Sequence, residues 1–235
     1  GYWKFDEGTG TVAKDSSRFG NDGTLTNMTG DDWVTTNTGT TTFFNPYALD
    51  FDGSNDYVIS KNNIPITGDT NATISAWVNL DDIAGNWYSA IADFGNTSAG
   101  AGMAIFIGDN ELSIGFFGGT SWRAYTTAPS AGSWHHVVAT KISGALGSST
   151  TKAYIDGALQ SLTFGGSGTP NIQSRKAYIG SDAANELCRP GLIDDVRIYN
   201  RALSASEVAA LAAGSSGGGS GRYVLGAALD VNGDL

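Results

Sequence analysis

The chain has 235 residues, 11% of them aromatic and 33 of them glycine, enough for one large β domain with a sizeable core. With 13 basic and 23 acidic side chains the net charge is −10, which argues against nucleic acid and anionic membranes as partners. No apolar run approaches the roughly 20 residues of a membrane span, so membrane insertion is not expected.

Gly1–Phe5 reads as a first strand, followed by Asp6 and Glu7. The opening Gly-Tyr-Trp suggests a processed or excised piece. Asp15–Gly23, DSSRFGNDG, packs turn formers into a tight loop. Residues 27–46 are polar and Thr-rich and read as a long loop or a weak edge strand. Ala48–Ser60 alternates through Leu49 and Phe51, turns at Gly53–Asp56 and resumes at Tyr57–Ile59, the pattern of a hairpin. Ala72–Leu80 is a clear strand with Ile74, Ala76 and Val78 on one face. Strands follow at Ser89–Phe94, Gly102–Ile107, Leu112–Phe117, Ser121–Thr127 and Ser133–Ile142. Thr151–Tyr154 and Leu159–Thr163 flank Asp156–Gly157, a type I′ hairpin signal. Another strand is expected over Lys176–Gly180. Cys188, the single cysteine, is either a buried small hydrophobe or an intermolecular link.

Gly191–Glu207 organises the chain. Strict alternation puts Leu192, Asp194, Val196 and Ile198 on one face and Ile193, Asp195, Arg197 and Tyr199 on the other. Ser204 and Glu207 form a capping box for the apolar run Val208–Ala213, and Gly214 reads as its C-cap. Gly214–Gly221 is a flexible Gly/Ser linker, and Arg222–Leu235 is a strand-like tail. The domain proper is therefore 1–213, the linker 214–221 and the tail 222–235. The rhythm of strands predicts an all-β, two-sheet antiparallel sandwich with one short C-terminal helix near 205–213.

The last strand with its capped helix, the FDE and Asp-Ser-Ser…Asn-Asp-Gly opening, and the LDFDGSNDYV segment closely resemble the laminin-G-like jelly-roll domains of the concanavalin A-like lectin/glucanase superfamily. The resemblance covers about residues 1–213 and departs at Arg18 and Phe19, where the family usually places Gly and Asn. It implies a jelly roll with a structural Ca²⁺ between the opening loop and the last strand. Asp15, Asn21, the Asn21–Gly23 backbone and Asp194 or Asp195 could supply its oxygens, and matching motif to motif implicates Glu7, Asp15, Asn21 and Asp194. The alternative is that Asp15 makes an Asx-turn and Asp195 pairs with Arg197 or Arg201. It also implies that Trp134 of the SWHHV segment packs inward.

Glycosidases need two carboxylates flanking the scissile bond. This chain has only four Glu, no two on one strand, so no catalytic residues and no enzyme activity are expected. His135 and His136 are adjacent on a strand and cannot share a metal from it. Asp230, Asn232 and Asp234 resemble the start of an EF-hand loop without its sixth and twelfth positions. Two readings of function remain. One is a secreted, lectin-like or adhesive carbohydrate-binding module, with Trp87, Tyr88, Trp122 and Tyr125 as stacking candidates for a glycan. Sequons at Asn27, Asn71 and Asn96 are compatible with an extracellular or cell-surface location. The other is a structural subunit of an extracellular fibre. There the tail, through Tyr223, Val224, Leu225, Leu229 and Val231, would add a strand to another copy, or to its own domain.

Overall fold

The computed structural model describes residues 1–36, 46–84, 89–95, 101–116, 123–182 and 190–213. The chain begins with β1 (Tyr2–Trp3), β2 (Val12–Ala13) and β3 (Gly23–Thr26), and a 3-10 turn at Gly30–Asp32 leads to β4 (Trp33–Thr35). Next come β5 (Tyr47–Asp52), β6 (Tyr57–Asn63), β7 (Ala72–Leu80), β8 (Ser89–Gly95), β9 (Gly102–Gly108) and β10 (Glu111–Gly115). β11 (Arg123–Thr127), β12 (His135–Lys141), β13 (Thr151–Ile155), β14 (Ala158–Leu159) and β15 (Thr163–Gly165) follow. β16 (Lys176–Ile179), β17 (Pro190–Tyr199) and the helix α1 (Ala205–Ala213) complete the fold.

These strands form two antiparallel sheets packed face to face. One has eight strands, in the order β14-β13-β12-β7-β17-β5-β4 with β1 also paired to β17. The other has nine, in the order β15-β11-β10-β9-β8-β16-β6-β3-β2. The inward residues of both sheets make one core, in which Ile74, Ala76 and Val78 of β7 face Ile105, Ile107 and Ile114 of the other sheet's β9 and β10. The expected all-β jelly roll is present, with one α-helix among the described residues, at Ala205–Ala213.

Three local expectations are corrected. The alternation through β17 is broken: Asp194 pairs with Trp77 and Arg197 with Ser75, so one extra residue is inserted. This β-bulge, with Asp195 at φ 50°, brings Val196 and Ile198 onto the same inward face as Ile193. Second, Ala48–Ser60 is not a hairpin. β5 pairs with β4 and β17 in one sheet, while β6 pairs with β3 and β16 in the other, so the Gly53–Asp56 turn crosses the sandwich. Asp52 Oδ1 accepts from Ser54 N at 2.7 Å and Asp56 Oδ2 accepts from Asp52 N at 3.0 Å, which shapes that corner. Third, the strand expected over Leu159–Thr163 is two strands, because β14 pairs with β13 and β15 with β11 in the opposite sheet. Elsewhere the chemistry is as expected. The weak edge strand is β4, and the β13–β14 turn has Asp156 and Gly157 at φ 51° and 80°, as a type I′ turn requires.

On its outer face the eight-stranded sheet carries α1. Val208 and Leu211 pack with Leu203 on Val138, Tyr154 and Tyr199. The capping box is complete, with Ser204 N donating to Glu207 Oε2 at 2.7 Å and Glu207 N to Ser204 Oγ at 3.3 Å. Beside this cluster His136 is fully buried, its Nε2 2.8 Å from Ser75 Oγ and its ring stacked on Trp77 at 5.2 Å. Burial, aided by the Arg197 charge, lowers its pKa to about 3.

Two outcomes are expected. Gly191 has φ +132°, and a Cβ there would lie 2.7 Å from Asn79 O and Leu80 Cα, both backbone of the central strand. Gly191→Ala should cost at least about 2 kcal/mol in a denaturant melt. Gly10→Ala, at φ +86° with open space around it, should cost less. His136 is neutral in the folded state down to about pH 3, whereas the unfolded chain protonates near 6.5. The unfolded state thus binds the extra proton between those values, and stability falls as pH drops through that window. His136→Gln should flatten the stability–pH slope there by up to about 1.4 kcal/mol per pH unit.

Candidate functional site

Alternation sends half of each strand to the core and half outward, so the outer face of the nine-stranded sheet is set by the same pattern. Across it the register aligns Tyr57 and Ile59 (β6), Tyr178 (β16), Asp93 (β8), Ala104 and Phe106 (β9), Ser113 and Gly115 (β10), and Arg123 and Tyr125 (β11). One flank is aromatic: the Tyr57 and Tyr178 rings lie 5.8 Å apart, and the Arg175 guanidinium sits over Tyr178 at 5.7 Å. On the other flank Arg123 lies over Tyr125 at 4.4 Å and pairs with Glu111 Oε2 at 2.9 Å. Between them runs a strip of small residues, Ala90, Ala104 and Gly115. Phe106 lies across Gly115, where a Cβ would fall 2.4 Å from its Cε2. Gly115 is thus required for the ring's placement.

Two polar groups are buried in this face, Asp93 and Ser113. Ser113 Oγ has no hydrogen-bond partner among the described residues. A buried hydroxyl left unmade costs free energy unless a ligand or water meets it. The arrangement can stack apolar ring faces on tyrosine, and it offers guanidinium donors and hydroxyl and carboxylate groups for orientation.

Of the sequence-derived stacking candidates, Tyr125 lies on this face. Trp87 and Tyr88 directly precede β8 and Trp122 directly precedes β11, the same sheet, but all three lie outside the described residues. Sequence reasoning missed Tyr57, Tyr178, Phe106 and Asp93. The signal available for Asp93 was a carboxylate inside the otherwise apolar strand SAIADFG. Trp134 does not belong to the core. It is half-buried and lines a cleft on the outer face of the opposite sheet. Tyr223, Val224, Leu225, Leu229, Val231 and Cys188 lie outside the described residues.

The opening loop and the last strand do approach each other, through Trp3, which bridges to Asp15 and pairs with Val196. Most of the oxygens expected to hold Ca²⁺, however, accept hydrogen bonds from the chain itself, while Glu7 Oε2 has no hydrogen-bond partner among the described residues. Asp15 accepts four hydrogen bonds of 2.8–2.9 Å, from Tyr2 N and Ser17 N at Oδ1 and from Ser17 Oγ and Asn21 N at Oδ2. Burial opposes its charge, yet these bonds hold its carboxyl below the usual range. Asn21 Oδ1 accepts from Asn62 N at 2.6 Å, and its backbone carbonyl accepts from Trp3 Nε1 at 3.1 Å. Gly23 is a ladder residue of β3, where a Cβ would meet Val58 Cγ1 at 2.5 Å. Glu7 Oε1 accepts from Lys14 N at 3.1 Å, and Asp194, fully buried in the bulge, accepts from Asp195 N at 2.7 Å. Among the described residues no three acidic, His or Cys side chains form a metal cluster. As placed, these residues do not fit a calcium ion, which needs six to eight free oxygens. The geometry is that of the Asx-turn, with Asp195 paired to Arg197 at 3.3 Å. Asp15→Ala should therefore destabilise the fold by about 3 kcal/mol or more, since it strands two buried N–H groups and a part-buried third. Chelator should leave the melting temperature unchanged; a fall reversed by added calcium would overturn this assignment.

The sequence matches the family described as the concanavalin A-like lectin/glucanases superfamily over residues 52–209. No curated protein matches the chain. Among solved structures it resembles a Trypanosoma rangeli sialidase, at 16% identity and a TM-score of 0.60, over 90% of this chain and 32% of the sialidase chain. It also resembles domain 4 of AbnA, a GH43 extracellular arabinanase from Geobacillus stearothermophilus, solved with arabinotriose. There the values are 19% identity, a TM-score of 0.60, and coverage of 90% and 96% of the two chains. The receptor-binding domain of botulinum neurotoxin D matches at 14% identity and a TM-score of 0.59, over 91% of this chain and 52% of the toxin chain. These likenesses show a shared fold, and the family match spans more than half of the sequence. The chain belongs to the laminin-G-like family of the concanavalin A-like lectin/glucanase superfamily.

Proposed function

We propose that this chain is an extracellular, non-catalytic carbohydrate-binding module, and that its glycan lies on the outer face of the nine-stranded sheet. One observation carries the reading. Two Arg–Tyr pairs, Arg123–Tyr125 and Arg175–Tyr178, flank a strip of small residues that holds the buried Ser113 hydroxyl. Tyrosine faces suit the C–H faces of sugars. Arabinotriose bound to the AbnA domain supports this ligand class by analogy of fold. A non-catalytic role is supported by the carboxylates themselves. Glu111 is engaged by Arg123 at 2.9 Å, and Asp93 lies two strands away on β8, so no strand of this face presents an acid–nucleophile pair among the described residues.

A glycan array probed with the full chain should yield defined ligands. Tyr125→Ala and Arg123→Ala should each weaken the best of them by about tenfold or more with little change in melting temperature. An array without binding, or affinity indifferent to both substitutions, would refute the assignment.

A further inference from the structure

The opposite side of the sandwich carries a second concavity. On the outer face of the eight-stranded sheet a cleft of about 540 Å³ lies between Trp77 and Trp134, the Asp156–Ala158 turn, and Ala209 and Ala212 of α1. The volume falls within the range of small-molecule sites. The walls are built for rigidity. Trp77 is fixed by its stack on the buried ring of His136, which Ser75 Oγ holds at 2.8 Å. Gly157 abuts the helix, a Cβ there lying 3.3 Å from both Ala209 Cα and Ala212 Cβ, so the turn closes one end.

Asp156 is the one charged group of the wall among the described residues, and its orientation is locked. Oδ1 accepts from His136 N at 2.8 Å, and Oδ2 lies 2.7 Å from His135 Nδ1, whose Nε2 in turn meets Ser130 Oγ at 2.9 Å. Each carboxylate oxygen keeps a further lone pair, and the side chain remains 49% exposed. The half-buried Trp134 indole over a floor of buried Trp77, alanine walls and an oriented acceptor are the complement of a ring that is apolar on its faces and rich in hydroxyls at its edge.

We propose that this cleft is a second saccharide site, which takes the end of a neutral glycan. One pyranose ring stacks on an indole, and adjacent hydroxyls donate to Asp156. The carboxylate selects against uronic and sialic acids through like-charge repulsion. The inference is independent of the site on the nine-stranded sheet. With both sites in place, one domain could hold two glycan chains on opposite faces and gain avidity on a multivalent surface.

The experiment is NMR of the indole Nε1–H signals of Trp77 and Trp134 in the full chain, titrated with three neutral probes and one acidic one. The neutral probes are methyl β-D-glucopyranoside, methyl β-D-galactopyranoside and methyl α-L-arabinofuranoside; the acidic one is the methyl glycoside of glucuronic acid. Both indole signals should shift with at least one neutral probe and not with the uronide. Asp156→Asn, which keeps a side-chain acceptor and the turn geometry, should weaken that response about tenfold. Trp134→Phe should weaken it as well. Tyr125→Ala should leave it unchanged, so failure of the other face reads out separately. No shift with any neutral probe at saturating millimolar concentration would overturn the proposal. So would a response indifferent to both cleft substitutions. The same holds if replacing Val224 and Leu225 by serine, without sugar, moves both indole signals, because the cleft would then belong to the tail.

Discussion

The bulge at Asp194–Asp195 is the constraint on which the arrangement rests. β17 runs beside β7 along most of its length, but its other edge changes partner, from β5 over Pro190–Ile193 to β1 over Val196–Arg197. The inserted residue falls at that change. It re-aims the second half so that Val196 and Ile198 remain in the core. It also leaves Asp195 free to accept from the Tyr2 hydroxyl at 2.6 Å. Arg197, its side chain largely buried, donates to the same hydroxyl at 2.6 Å and lies over the Tyr2 ring at 4.0 Å. Burial opposes the guanidinium charge, and Asp195 with Tyr2 outweighs it, so the cation persists. Burial likewise pushes the Tyr2 phenol well above its ordinary value, so it stays protonated as a donor to Asp195. A partly buried triad of this kind contributes little net stability but penalises any other register, since a slip strands a charge.

From that anchor the amino terminus is positioned by saturation. β1 is only two residues long, too short to hold itself by ladder bonds. Asp15 compensates by gathering Tyr2 N, the Ser17 groups and Asn21 N on one carboxylate. Asn21 then pairs with both backbone groups of Asn62, as a neighbouring strand would. A loop rich in Asp, Asn and Ser can serve a cation or serve its own backbone, and the composition is the same in both cases. Only the placement of N–H groups separates the two, and here those of Tyr2, Ser17 and Asn21 point at Asp15.

Much of the architecture was legible. The alternation in ATISAWVNL, the Asp-Gly turn after β13 and the Ser204–Glu207 box each state a local rule that tertiary packing obeys. What failed depended on partners. Whether two adjacent strands share a sheet is decided across the sandwich. LDFDGSNDYV therefore looked like a hairpin although its halves belong to different layers. A single-residue bulge inverts every face downstream of it, and nothing in IDDVRIY marks it except two consecutive aspartates. The candidate site was only partly visible for a related reason. GMAIFIG is apolar throughout, so its alternation has no contrast, and Phe106 could not be assigned to an outer face by pattern.

The two outer faces also show how a sandwich divides labour. Inward positions are consumed by the core, so function must sit on outward positions, where burial of a polar group requires a specific cause. On the eight-stranded sheet that cause is structural. His136 is kept neutral by burial and held by Ser75 beside a helix packed on apolar residues. On the nine-stranded sheet no helix among the described residues covers the face, yet Asp93 and Ser113 are as inaccessible as core residues. Burying a carboxylate and a hydroxyl there contributes nothing to the hydrophobic core, which lies on the other side of the sheet. Packing alone would have favoured Val or Ile at both positions. The Ser113 hydroxyl beside Tyr125, without a hydrogen-bond partner among the described residues, is the physical reason to look for binding on that face first.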